Sequence, residues 1–467
     1  EEALNSSIKS DQLILEQNRS FDDLIYLPKI YQTEINLSKR MALLGKGNHP
    51  CPEIDFDKAI RWAEEKSSIE LALEQKNALK LSICAKISVI TGGPGVGKTT
   101  LLNAILLILK AKRMRVMCCA PTGRAAKRMS ESTGIESKTI HRLLQYNPAT
   151  GGFIHNPDNP LSCDVIIIDE SSMIDLSLCY YLMEAIPLHA AIIFVGDVDQ
   201  LPSVGPGKIL KDIISSGIAS VSHLTEIFRQ TSTSQIISHS HSINEGEIPN
   251  FIDSDENSDC YFIESEDPER AVNLINKLIS ESIPKKFNFN PMNDIQILSP
   301  MKKGLLGTNN LNESLQKLLN KNTSQINRFG RIYRVNDRVM QTENDYDKDV
   351  FNGDLGFIYK IDNELSLLTV QYDEKKVDYD FRELDMLIHA YAITIHKSQG
   401  SEYPVVIIPI HTQHYVMLKR TLFYTAITRA KKLAIIIGTN KALKLAVQQT
   451  DSHQRITRLG EQLSTID

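Results

Sequence analysis

Gly92-Gly93-Pro94-Gly95-Val96-Gly97-Lys98-Thr99 lies between an apolar, strand-like run containing Ile87, Val89 and Ile90 and a helix-like run from Leu101 to Leu109. Few folds accommodate that order: a buried strand must turn through a glycine loop directly into a buried helix, the opening step of an α/β layer architecture. Small residues let the backbone N–H groups curl inward, and the helix turns its positive end to the same point. Gly92, Gly93, Pro94, Gly95, Val96, Gly97, Lys98, Thr99 and Thr100 are therefore expected to surround a nucleoside triphosphate. Lys98 would meet its β- and γ-phosphates, and Thr99 its Mg²⁺.

The 467-residue length allows about three domains. An apolar fraction of 42% supports a substantial core, and a net charge of −5 argues against a uniformly basic coat while leaving room for a local basic groove. The seven cysteines (Cys51, Cys84, Cys118, Cys119, Cys163, Cys179 and Cys260) form no C-x-x-C pair and fall mostly in apolar runs, which fits a reduced, cytoplasmic setting. No apolar stretch is long enough to span a bilayer, and residues 1–30 carry no basic-then-apolar leader.

Residues 20–45 have apolar residues at helical spacing and end at Gly45, Gly47 and Pro50, so residues 1–60 read as a helical lead-in. From residue 61 helices alternate with the apolar strands Val116–Ala120, Val165–Ile168 and Ile192–Val195, the pattern of a parallel sheet covered on both faces. A run of Asn-Pro and Gly-Gly pairs at 146–163 interrupts it as an inserted hairpin. A second alternating region starts near His223, with strands at Ile295–Leu298, Val405–Ile410 and Leu433–Ile437. Within it, residues 330–386 break into short segments around Asn352-Gly353, Asp362-Asn363 and Asp373-Glu374 turns, a small β-barrel or meander. The expected organisation is a first core at 61–222, a second at 223–329 and 387–467, and a β insertion at 330–386. No internal repeat is evident.

Hydrolysis of a triphosphate needs a metal contact and a group that orients water. Asp169 and Glu170, at the end of the Val165–Ile168 run, supply these, Asp169 toward Mg²⁺ and Glu170 toward the attacking water. Gly196-Asp197-Val198-Asp199-Gln200 follows the next strand and falls on the same carboxyl edge, where Gln200 would sense the γ-phosphate. Gln75, on a helix ahead of the loop, is a candidate for the adenine edge of ATP. Arg229 and Arg429 belong to the second region and would reach across a cleft to spread charge on the transferring phosphoryl group.

In order, Gln75, the phosphate loop, Ala-Pro-Thr-Gly-Arg-Ala-Ala (120–126), Asp-Glu-Ser-Ser (169–172), Gly-Asp-Val-Asp-Gln-Leu-Pro-Ser-Val (196–204), Phe-Arg-Gln (228–230), Ile-His-Lys-Ser-Gln-Gly-Ser-Glu (395–402) and Tyr-Thr-Ala-Ile-Thr-Arg-Ala (424–430) resemble the motifs of superfamily 1 helicases. Within that superfamily the chain resembles the free-standing RecD-like DNA helicases of the 5′ to 3′ branch, over about residues 20–450. The resemblance implies two RecA-like parallel-sheet cores, a pin hairpin between separating strands at 146–163, and an SH3-like β insertion. It implies ATP and Mg²⁺ as cofactors, single-stranded and tailed duplex DNA as partners, and work in DNA repair or recombination. Free-standing members carry a helical region with helix-hairpin-helix elements ahead of the motor; this sequence begins at Glu1 without it, which the resemblance reads as a shortened start, with any protein partners of that region unassigned.

By the same resemblance, DNA would cross both cores. Pro121, Thr122 and Arg124, with Thr139 and His141 nearby, would hold it on the first core. Ser299, Pro300, Thr394, Ile395, His396, Lys397 and Ser398 would hold it on the second. Hydroxyls, amides and a few cations suit phosphates, which position a strand without reading its sequence. Two other readings stand beside this one: a motor subunit of a RecBCD-type nuclease complex, and a non-catalytic ATP-binding DNA clamp.

Overall fold

The computed structural model describes residues 2–16, 23–147, 151–226, 234–251, 258–345, 347–373, 375–450 and 455–465. Six parallel strands form the first sheet, in the spatial order Ser220–Leu224, Ile87–Gly92, Ala191–Gly196, Val165–Ile168, Val116–Ala120 and Ser137–Thr139. Its central strands are buried on both faces, as their unbroken runs of Val and Ile require. One face is covered by the helices Phe56–Ser67, Leu73–Cys84 and Lys98–Ala111, the last buried along Leu101, Leu102, Ala104, Ile105, Leu106, Ile108 and Leu109 because neighbouring helices flank it. The other face is covered by Pro28–Gly45, Leu176–Ala185 and Ile209–Ser216.

The second sheet is also parallel, in the order Cys260–Glu264, Ala430–Gly438, Tyr403–Ile410, Ile295–Ser299 and Ala392–Thr394. Helices Gln235–Glu245, Arg420–Ile427 and Asn440–Gln448 pack on one face, and Pro268–Lys277 and Thr308–Leu319 on the other. Between the strands Ile295–Ser299 and Ala392–Thr394 the chain forms an antiparallel hairpin, Gln325–Arg328 with Arg331–Arg334, and a five-stranded antiparallel sheet ordered Lys375–Asp380, Leu367–Tyr372, Leu355–Asp362, Arg338–Gln341 and Leu387–His389. Alternation of buried and half-buried residues along Leu367–Tyr372 fits a sheet wrapped around its own core of Tyr333, Val370 and Tyr379. Tyr146–Asn147 pairs antiparallel with Gly152–Phe153, so a hairpin stands where the first core is interrupted; residues 148–150, between its strands, lie outside the described residues. Among the described residues no helix is long and apolar enough to cross a membrane.

Three expectations about organisation need correction. The lead-in is not purely helical, because Ile14–Glu16 and Leu24–Tyr26 form an antiparallel ribbon. A boundary at residue 223 would cut a strand, since His223 pairs with Thr91 and Leu224 with Gly92 in the first sheet. The final helix, Leu459–Ser464, leaves the second core and buries Leu459 and Leu463 in the first, against helices Pro28–Gly45 and Ile209–Ser216.

Candidate nucleotide site and nucleic-acid interface

The phosphate loop emerges from the carboxyl edge of the first sheet beside the point where strand order reverses, since the chain leaves Ile87–Gly92 for a strand three places away. Gly95 and Gly97 have φ of 76° and 74°, the left-handed region that admits glycine without strain, and Gly97 opens the helix with no side-chain cap. The first-turn N–H groups are thus left for a ligand. Lys98 Nζ donates to the carbonyls of Gly92 and Gly93, at 2.5 and 2.7 Å, inside the cradle.

Lys98, Thr99, Asp169, Glu170, Gln200 and Arg429 line one cavity, together with Pro94, Arg128, Asp197 and Glu402. Glu170 has a φ of 49°, a left-handed turn that ends the strand abruptly and sets the two carboxylates at its tip. Burial and the neighbouring Glu170 push Asp169 up to about 6, so a cation beside it would relieve an existing strain on the charged form. Thr99 and Asp169 offer one hydroxyl and one carboxylate, and among the described residues no group of three or more His, Cys, Asp or Glu side chains is placed to hold a metal. Such a sparse set suits Mg²⁺, which keeps water and phosphate oxygens as its other ligands.

The second core closes the cavity. Arg429 is buried; its guanidinium donates to the carbonyls of Thr425 and Ser401, both at 3.2 Å, and to Thr428 Oγ1. Tyr424 Oη donates to Asp197 Oδ2 across the cleft at 2.9 Å, and burial and Asp197 push that phenol's ionisation up so that it remains a donor. Gln200 Nε2 donates to the same carboxylate oxygen at 3.0 Å, while Leu201 N–H donates to Thr425 Oγ1 and Gln399 Nε2 to the Leu201 carbonyl. Gln200 therefore sits in a bonded seam between the cores. A Cβ on Gly93 would stand 3.1 Å from Tyr424 Oη, so glycine at that position admits the second core. Arg229 lies outside the described residues.

Gln75 is placed differently from its expected role. It is buried, its Nε2 donates to the carbonyls of Val96 and Gly97 at 3.4 and 3.2 Å, and its Oε1 accepts from Ala72 N–H. The amide braces the phosphate loop from beneath and is not presented to a base edge.

Several expected nucleic-acid contacts are also committed elsewhere. Ser299 is fully buried and donates to the Met301 and Leu306 carbonyls, Pro300 is buried beside it, and Ser398 donates to the Ile395 carbonyl. Thr394 and Ile395 are buried as well. These residues close strand-to-helix turns, where a short hydroxyl satisfies backbone groups that the sheet leaves open. Thr122 and Thr139 cap helices, accepting from Ala125 and Arg142 N–H. Pro121 is half-buried, and Arg124 donates to Ser401 Oγ at 2.7 Å and Tyr403 Oη at 2.9 Å, facing the opposite core. His141, His396 and Lys397 remain half-buried, His396 lining the cleft between the cores and His141 packing on Phe153 of the hairpin; burial lowers the affinity of all three for a proton, and for Lys397 the nearby Lys302 adds to it. The two histidines are then neutral hydrogen-bonding groups at pH 7.

Sequence reasoning missed the side chains that frame these clefts. Lys208, Lys211, Lys419 and Arg420 line a cleft with His396 between the two cores. A second cleft runs between the first core and the β insertion, where Lys127, Lys138 and Lys375 contribute cations and Phe351 packs against Gly123. Arg142 pairs with Asp349 at 2.8 Å, and Lys397 donates to Asn352 at 3.2 Å, so the 349–354 turn of the insertion reaches both cores. Glu74 accepts from Thr225 and Glu226, holding the chain just ahead of the segment that carries Arg229. His396 and Lys397 stand in a motif already read from the sequence, but Lys127, Lys138, Lys211, Lys375, Lys419 and Arg420 stand in none, and only folding assembles them.

Three family models match the chain in sequence order: an AAA domain over residues 75–206, an ATP-dependent RecD-like DNA helicase SH3 domain over 311–372, and a UvrD-like helicase C-terminal domain over 389–437. The curated ATP-dependent RecD2 DNA helicase of Deinococcus radiodurans is 35% identical over 423 residues, which are 90% of this chain and 56% of that protein. The chain belongs to the RecD-like superfamily 1 helicases. The RecBCD enzyme subunit RecD of Mycolicibacterium smegmatis is 27% identical, covering 92% of this chain and 81% of that protein, and that of Haemophilus influenzae is 27% identical, covering 84% and 72%. The RecD-like chain thus spans little more than half the length of the RecD2 relative. A solved structure of Pif1 helicases aligns with a TM-score of 0.49 and 20% identity over 81% of this chain and 94% of that one.

Proposed function

We propose that the protein is an ATP-dependent DNA helicase that moves 5′ to 3′ along single-stranded DNA and opens duplexes ahead of it, in DNA repair or recombination. The observation that carries this reading is one cavity lined by Lys98, Thr99, Asp169 and Glu170 of the first core and by Arg429 of the second. A site divided between two bodies makes turnover depend on their closure, and closure is what a motor converts into steps.

In this reading the loop amides and Lys98 bind the β- and γ-phosphates of ATP, and Thr99 and Asp169 hold Mg²⁺. The ion, when bound, neutralises phosphate charge and fixes the phosphate geometry. Glu170 orients water toward the γ-phosphorus and accepts its proton, and Arg429 spreads the charge that grows on the transferring group. Arg229 is proposed as a second such cation. Gln200, bonded to Asp197 beside Tyr424, reports occupancy of the γ-position to the second core. Alternating grip on the strand, through Thr122 and Thr139 backbone neighbours and His141 on one core and His396 and Lys397 on the other, then yields directional movement. The greater identity to the free-standing RecD2 helicase than to the RecD subunits favours independent action over service in a nuclease complex.

The test is ATP-dependent unwinding of two matched duplexes, one with a 5′ single-stranded tail and one with a 3′ tail, at fixed moderate salt. Opening of the 5′-tailed duplex alone supports the reading. Opening of the 3′-tailed duplex alone overturns the polarity, and ATP turnover without opening of either overturns the helicase reading for this chain.

A further inference from the structure

Ser401 and Glu402 lead into the strand Tyr403–Ile410 of the second core, and the short stretch 401–403 holds three arginines. Arg124 donates to Ser401 Oγ and Tyr403 Oη, at 2.7 and 2.9 Å. Arg128 pairs with Glu402 at 2.8 Å. Arg429 donates to the Ser401 carbonyl at 3.2 Å. Arg124 and Arg128 are four residues apart on the helix Gly123–Thr133, so they share a face, and that face meets the opposite core. The same helix starts at Thr122, the turn proposed to touch DNA.

Glu402 is the charged member of this joint. Burial pushes its carboxyl up, yet Arg128, Arg429 and Lys431 together hold it below its ordinary range; Lys431 stands 3.3 Å away. Two of these cations belong to Glu402's own core and stay with it. Arg128 alone comes from the first core, so among the three cations its pairing is the one that depends on the cores being together. Arg128 and Glu402 also line the nucleotide cavity beside Asp169 and Glu170, so the pair has an end in each half of the site.

We infer that the Arg128–Glu402 pair is a closure latch: when the first core's DNA-facing helix docks, Arg128 seats Glu402 and thereby fixes the Ser401 carbonyl on which the Arg429 guanidinium rests. Arg128 is a positioning residue in this arrangement. It acts through Glu402 and Ser401, with no contact of its own to the reacting atoms required. The inference rests on the proposed ATP-driven motor and adds the route by which one core's grip on a strand reaches the other core's arginine.

The experiment measures steady-state ATP turnover by the full chain with a saturating single-stranded oligonucleotide, for the wild type, Arg128→Ala, Arg128→Lys, Glu402→Gln and the Arg128→Ala/Glu402→Gln double variant. A latch predicts that Arg128→Ala lowers kcat by about tenfold, within the usual range of coupling between sites. KM for ATP should stay within about twofold, because Arg429 acts mainly in the transition state. Arg128→Lys should recover part of the loss by keeping a cation, and Glu402→Gln should cost less on the Arg128→Ala background than in the wild type, since the shared pair is removed only once while the Arg429 and Lys431 contacts are lost in both. Wild-type kcat in Arg128→Ala, or losses that multiply in the double variant, overturn the latch. If Glu402→Gln fails to fold, the Ala and Lys variants at position 128 still decide, because that side chain sits at a solvent-lipped surface. A wild type without ATP turnover would instead overturn the motor reading itself, whereas turnover that Lys98→Ala abolishes and Arg128→Ala leaves intact overturns only the latch.

Discussion

The two parallel sheets have the same winding but different edges. Taken from their first strands, Ile87–Gly92 and Cys260–Glu264, both run in the spatial order first, fifth, fourth, second, third; the first sheet adds Ser220–Leu224 outside. After its first strand, one core forms a glycine loop and a helix with no side-chain cap and no acid in its first turn. At the equivalent place the other forms a helix capped by Asp267, which accepts from Glu269 N–H, with Glu269 itself in the first turn. A helix end already satisfied by carboxylates repels phosphate. Topology therefore gives both cores a ligand-facing edge, and the first six residues after one strand decide which of them holds the nucleotide.

At the third strand the edges agree. Thr139-Ile140-His141 ends that strand in the first core and Thr394-Ile395-His396 in the second. The sequence reading found no internal repeat, because three residues separated by more than two hundred are invisible until two folds are laid side by side. The nucleotide edge is thus singular and the proposed DNA edge is doubled, as a two-handed grip would need.

The sharpest break in the comparison is Lys98→Ala. Turnover should fall to background while single-stranded DNA binding and the circular dichroism spectrum stay unchanged, which phosphate release and a binding titration would show. Arg429→Ala, which removes the second core's contribution to the same cavity, should lower kcat by about 10³-fold with a modest change in KM. Unchanged turnover there would make the nucleotide site a property of the first core alone.

Protonation offers a graded version. Asp169 is pushed up to about 6, so it is ionised at pH 7 and takes up a proton as pH falls through that value. The Mg²⁺ concentration for half-maximal turnover should therefore rise below about pH 6, approaching tenfold per unit. A flat Mg²⁺ requirement from pH 7 to 5 would remove Asp169 from the metal. Next in size, His141→Ala and His396→Ala should each weaken single-stranded DNA binding about fivefold, the worth of one net hydrogen bond, and by similar factors on any sequence. Strongly unequal losses would break the symmetry of the grip. The smallest effect belongs to Asp267→Ala, expected to cost about 1 kcal/mol of stability in a denaturant titration with no change in KM for ATP.

Local signals were legible in the sequence. The phosphate loop and Asp169-Glu170 announce themselves because each needs only its own strand and turn, and the alternation of helices with apolar strands gave both parallel sheets. Ser137–Thr139 escaped because three polar residues at a sheet edge, two half-buried and one buried, form no apolar run. Gln75, Ser299 and Ser398 were misread for a single reason: a polar side chain beside a ligand-facing edge can serve the ligand or the backbone, and composition does not say which. Here the backbone takes them. Arg124 and Arg128 were separated in role only by the opposite core, which lies more than 270 residues further along the chain.

The return of helix Leu459–Ser464 to the first core carries a mechanical consequence. The chain leaves the first body after Glu226, which bonds to Glu74, and is on the second by Ser234, which bonds to Asp259; it leaves the second after Gln449, bonded to Arg420, and is back on the first by Arg455, which donates to the Gly207 carbonyl. The crossings are eight and six Cα–Cα steps, so neither reaches more than about 30 Å when fully drawn out. A single crossing would leave one body free to swivel about a point; two define an axis. The permitted motion is then closer to that of a door on two pins than of a ball on a string, which turns thermal wandering into opening and shutting along one coordinate.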